Sequence, residues 1–127
     1  MHRILLRTVV FDYAGDIHDA GLLFWQVALA ADPRPGTRHP EYHVLEHPAT
    51  VGPVLVQHLG EGESRIHLDI EADDTKAEVD RLVTAGAVVV ERIDDWTVLR
   101  DPAGLLFCVV PADVDDVFDR FAHTVGS

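Results

Sequence analysis

Arg65, His67, Asp69 and Glu71 stand at alternate positions of RIHLDIEA, so in an extended strand their side chains share one face. Ile66, Leu68 and Ile70 fill the remaining positions, and the alternation predicts a strand whose apolar face packs beneath helices and whose ionisable face lines a cavity. The chemistry open to such a row is proton transfer. Imidazole changes charge near neutral pH, and Asp69 or Glu71 could orient it or serve as a base. Arg65, on the same face, could neutralise one of those carboxylates or grip the carboxylate of a ligand. His67 has an ordinary alternative too, a neutral imidazole hydrogen-bonded in a half-buried sheet. Cys108 in FCVV reads as a small buried hydrophobe.

Other chemistry-bearing residues converge less. His39, His43 and His47 form a histidine-rich stretch, but Pro40 and Pro48 prevent a helical ligand pair, and we read them as loop or cavity-rim residues. Phe24 and Trp25 read as helix-to-sheet packing. No phosphate-binding glycine loop, GxSxG elbow or HExxH helix is present, which argues against nucleotide chemistry, a hydrolase triad and zinc proteolysis.

Two halves of similar grammar must position these residues. In the first, Leu5 to Tyr13 reads as a strand and Asp16 to Ala31 as a helix with Leu22, Leu23, Gln26 and Val27 at helical spacing, broken by DPRPG. Strands follow at Tyr42 to Glu46 and Val54 to His58, and a further short strand could lie between His47 and Pro53. Placing Val54 and Val56 toward the core puts Leu55 and Gln57 on the cavity face; a slip by one residue would substitute His58. In the second half, Asp73 or Asp74 caps a helix carrying Val79, Leu82 and Val83, and Gly86 closes it. The turn signals at Asp94, Asp95 and Asp101 to Gly104 divide Ala87 to Arg92, Thr97 to Arg100 and Leu105 to Val110 into a meander. Ala112 to Thr124 reads as an amphipathic terminal helix with Val114, Val117, Phe118 and Phe121 on one face.

The chain has 127 residues, 47% hydrophobic, which suits one domain spanning 1–127. Ten basic against 22 acidic residues give a formal charge of -12, which disfavours nucleic acid and anionic membrane partners. The single cysteine excludes an internal disulfide, and no segment approaches the ~20 apolar residues of a membrane span, so a cytoplasmic location is expected.

His67, the acidic pair Asp73 and Asp74 before a helix, the glycine at its end and the DPAG turn into a hydrophobic strand together resemble the vicinal oxygen chelate superfamily. More narrowly the chain looks like its glyoxalase-like, bleomycin-resistance and dioxygenase branch. The first half agrees through VVFD at Val9 to Asp12 and the aromatic pair Phe24 and Trp25. The resemblance implies an α+β fold in which paired βαβββ modules, about 4–60 and 64–111, form a curved mixed sheet around a cavity, with a C-terminal helix added. In metal-using members four strand positions supply ligands, and these fall on Thr8, Gln57, His67 and Cys108. A divalent metal is thus the cofactor the resemblance allows. Only His67 keeps the usual residue type, and Cys108 could bind only as a thiolate suited to softer ions.

The expected function is binding, including sequestration, of a neutral or cationic small organic molecule at a degenerate metal site. Thr8, Gln57, Arg65, His67 and Cys108 are the candidate contacts, and Asp12, Asp69 and Glu71 lie on or near the cavity face. A second expectation is a lyase, isomerase or dioxygenase that uses a metal or the His67, Asp69 and Glu71 set. A third is a non-catalytic module that forms a homodimer.

Overall fold

The computed structural model describes residues 1–46, 54–60, 62–113 and 115–126. The order strand, helix, three strands occurs twice. It runs first as β1 (His2–Ala14), α1 (His18–Ala28), β2 (Asp32–Pro35), β3 (Tyr42–Glu46) and β4 (Val54–Gly60). It recurs as β5 (Arg65–Ala72), α2 (Thr75–Thr84), β6 (Val88–Ile93), β7 (Trp96–Arg100) and β8 (Leu106–Pro111). A short helix α3 (Asp116–Phe121) and strand β9 (His123–Val125) follow. Among the described residues this is an α+β fold of nine strands in mixed sheet and three helices.

The two repeats share their pairing. β1 runs parallel to β4, which pairs antiparallel with β3, which pairs antiparallel with β2. In the same way β5 runs parallel to β8, followed by antiparallel β7 and β6. Two compact units result, Thr8–His67, and Met1–Arg7 with Leu68–Ser127.

In Thr8–His67, Ala31, Leu45, Val54 and Val56 form a buried core against Phe11, Tyr13, Leu22, Trp25 and Leu29. Leu22, Trp25 and Leu29 fall at i, i+3 and i+7, the spacing of one helical face. The Trp25 ring stacks on Phe11 at 4.7 Å between centroids, and its indole N–H donates to the Tyr13 hydroxyl at 2.6 Å. In the other unit Ala72, Val79, Ala87, Leu99 and Val109 pack with Ile4, Leu82, Val89 and Phe107. Asp74 caps α2 by accepting from the Ala77 amide at 3.0 Å, and Gly86 ends it at φ +116°, a conformation open to glycine without penalty. Glu78, fully buried on α2, is held by His2 at 2.6 Å and by Arg81 at 2.9 and 2.8 Å.

Several expectations need correction. β2 is built from DPRP, read as a breaker; its prolines fit because among the described residues the strand pairs on one side only, with β3. α1 is shorter than Asp16 to Ala31, and Leu23, Phe24 and Val27 are exposed rather than packed. Val83 of α2 is also exposed. The terminal helix is only Asp116–Phe121, because His123–Val125 leave it to pair antiparallel with the start of β1. On β5 the expected apolar burial does not hold: Ile66 is 62% and Leu68 40% exposed. The strand proposed between His47 and Pro53, with His47 itself, lies outside the described residues.

Candidate functional site

In the unit Thr8–His67, strand alternation puts Thr8, Val10 and Asp12 of β1 on the face opposite Phe11 and Tyr13, away from the α1 core. The parallel register sets Gln57 beside Asp12, and the β3–β4 register sets Tyr42 beside Gln57, so a polar row crosses three strands. Val54 and Val56 lie on the core side, which leaves Leu55 and Gln57 on the Asp12 face, as the sequence indicates. His58 belongs to the other face.

Asp12 is the centre of this row. Its side chain is fully buried, and its Oδ2 accepts a hydrogen bond of 2.6 Å from His67 Nδ1. An ionised carboxylate can only accept, so the proton of this bond lies on Nδ1. Arg65 Nε is 3.5 Å from the same oxygen, while Asp12 Oδ1 has no hydrogen-bond partner among the described residues. Thr8 sits four residues earlier on β1, about 13 Å along the strand, and takes no part in this pair.

In the other unit the register sets Asp69 directly across from Cys108, whose thiol is free and buried. Glu71 is buried too, 3.6 Å from Arg7, with its Oε1 lacking a hydrogen-bond partner among the described residues. Burial pushes the Glu71 carboxyl up to about 7, although the nearby Arg7 charge opposes the rise. Arg7 turns its guanidinium instead to Asp115, with bonds of 3.2 and 2.8 Å. That pairing, aided by the Phe118 amide, lowers the Asp115 carboxyl to about 2. Arg65 and His67 meet Asp12, Asp69 faces Cys108, and Glu71 meets Arg7 rather than an imidazole.

At the four family ligand positions Thr8 and Gln57 offer only neutral oxygens, whereas His67 and Cys108, with Asp69, are residues that could hold a metal ion. Asp12 itself was visible in the sequence only as part of VVFD. Its partnership with His67, 55 residues away, depends on a tertiary contact that no local pattern records.

The family model described as a glyoxalase-like domain matches residues 8–110. No curated protein matches the chain. Among solved structures, methylmalonyl-CoA epimerase from Mycobacterium tuberculosis is similar with a TM-score of 0.58 at 16% identity, over 84% of this chain and 87% of that one. An uncharacterized protein from Methanosarcina mazei is similar with a TM-score of 0.51 at 12% identity, over 87% of this chain and 97% of that one. At these identities the likeness is one of fold.

Proposed function

We propose, from the premise that this chain belongs to the glyoxalase-like domain family, that it binds a small neutral or cationic organic molecule through His67. The observation that carries this reading is the 2.6 Å bond from His67 Nδ1 to the buried Asp12 carboxylate. That bond holds the ring plane of His67, so the imidazole can meet a ligand at little further entropic cost. Gln57, beside Asp12 in register, adds an amide able to both donate and accept.

The same pair favours a second reading, proton abstraction next to a carbonyl. A buried carboxylate behind an imidazole stabilises the imidazolium formed when the ring takes a proton. The proton would move from the substrate carbon to the imidazole, and the electron pair to the carbonyl oxygen.

Ligand-observed NMR against a panel of small cationic, neutral and anionic aromatics tests the first reading. Hits are expected to bind at least about tenfold more weakly to His67→Ala, and to Asp12→Asn by a similar factor. Binding indifferent to both changes would remove the site. Deuterium exchange at the α-carbon of carbonyl-bearing hits then separates the readings, since only the second requires exchange that disappears in His67→Ala.

A further inference from the structure

Within the unit that contains Leu68–Ser127, the first half of α2 and the β6–β7 hairpin border a cleft of about 500 Å³, a volume typical of small-molecule sites. Val79 of α2, buried, and Trp96, half-buried at the start of β7, give it an apolar wall. Ile93 and Trp96 are cross-strand partners, so Asp94 and Asp95 alone make the turn between β6 and β7. Asp94 stands at φ +48°, a left-handed backbone that aspartate tolerates better than most residues, and both aspartates line the cleft. Asp12 and His67 belong to the other unit, so the cleft is built without that pair.

We propose that this cleft binds a zwitterionic α-amino acid with an apolar side chain. Arg92 supplies the group for the carboxylate. It is the cross-strand partner of Thr97, and its Nη1 donates to Thr97 Oγ1 at 3.4 Å, a contact that takes one of the five N–H groups of a guanidinium. Asp94 and Asp95 supply acceptors for the ammonium. Lys76 and Asp80, the remaining charged residues of the lining, pair with each other at 2.9 Å across one turn of α2.

Charge selects the class. A simple cation would meet the Arg92 guanidinium, and a simple anion would meet two carboxylates and the acidic excess of a chain with formal charge -12. A molecule that carries both charges on one carbon answers both signs and adds no net charge to the chain. Its side chain would lie against the Trp96 ring and Val79, where burying apolar surface adds affinity without further polar demands. The site does not depend on the function proposed for His67.

Nitrogen-15 NMR of the full-length protein titrated with L-phenylalanine and with L-leucine tests the proposal. The indole signal of Trp96 should move saturably, and that of Trp25, in the other unit, should not. N-acetyl-phenylalanine lacks the ammonium and phenylalaninamide lacks the carboxylate, so each should bind at least about tenfold more weakly than phenylalanine. Arg92→Gln, and the double change Asp94→Asn with Asp95→Asn, should weaken binding by a similar factor, while His67→Ala leaves it unchanged. Arg92, Asp94 and Asp95 are exposed, so these variants should keep the fold. No saturable shift at Trp96 with either amino acid, either analogue binding as tightly as phenylalanine, binding indifferent to Arg92→Gln, or binding lost in His67→Ala would each overturn the site.

Discussion

Replacing Asp12 with alanine would strand the Nδ1 proton of His67 in a place where the carboxylate is its acceptor, and would leave Arg65 without its nearest acid. Losing a buried acceptor costs about 1–3 kcal/mol, so Asp12→Ala should lower unfolding free energy by that order in urea titrations. The nitrogen-15 shifts of the His67 imidazole should also move. Unchanged shifts would mean that the 2.6 Å contact does not hold the ring. Glu71 offers a pH test. Its folded pKa of about 7 lies above its ordinary value of 4.5, so between those values the folded chain holds a proton that the unfolded chain has lost. Stability should therefore fall as pH rises through this window, by up to about 3 kcal/mol. Glu71→Gln should remove that slope, making the variant more stable than the parent at pH 8 and equal to it near pH 4; urea midpoints at both pH values decide. His67 and Glu71 could be singled out because period-two alternation is written in adjacent residues. What each one touches is not, since Asp12 and Arg7 come from a distant strand.

At the scale of elements, α3 illustrates a structure held from outside. Six residues are too few for a helix to persist alone, and its end is turned away by β9. Two arginines four residues apart on β1 tie it down. Arg7 binds Asp115, and Arg3 binds Asp119 at 3.0 Å while lying 4.9 Å above the ring of the fully buried Phe118. Arg7→Gln should therefore speed amide hydrogen exchange through α3 while leaving α2 protected, and Phe118→Ala should cost about 3–5 kcal/mol. Exchange in α3 that ignored Arg7→Gln would show that Phe118 alone seats the helix. The strong local signals of α2, its Asp74 cap and Gly86 stop, were legible in sequence because they are chemical requirements of the helix itself. β2 was hidden, since prolines normally punctuate, and only its one-sided pairing with β3 tolerates them. The terminal helix was overestimated because an apolar stripe from Val114 to Phe121 does not reveal that a neighbouring strand captures the residues after it.

For the whole molecule the deciding quantity is charge. Of the ten basic residues, Arg3, Arg7, Arg34, Arg65, Lys76 and Arg81 already stand in ion pairs with carboxylates, so most of the positive charge is spent within the chain. The remaining acidic excess sets a field that concentrates cations and repels anions, and salt screens it over about 8–10 Å at physiological strength. A cationic aromatic ligand should therefore bind more tightly than its matched anionic analogue, with a preference that shrinks from low to high salt. Arg65 is the residue that could reverse this. Its side chain is 41% exposed and only 3.5 Å from Asp12, so it partly neutralises the acid beside His67 while still presenting N–H groups to solvent. Titrating both analogues at two salt concentrations, with the native chain and with Arg65→Ala, resolves the competition. Cation preference that grows in Arg65→Ala would show the acidic field acting with Arg65 as its local counterweight; tighter anion binding by the native chain, lost in Arg65→Ala, would make Arg65 a carboxylate anchor and reverse the expected ligand charge.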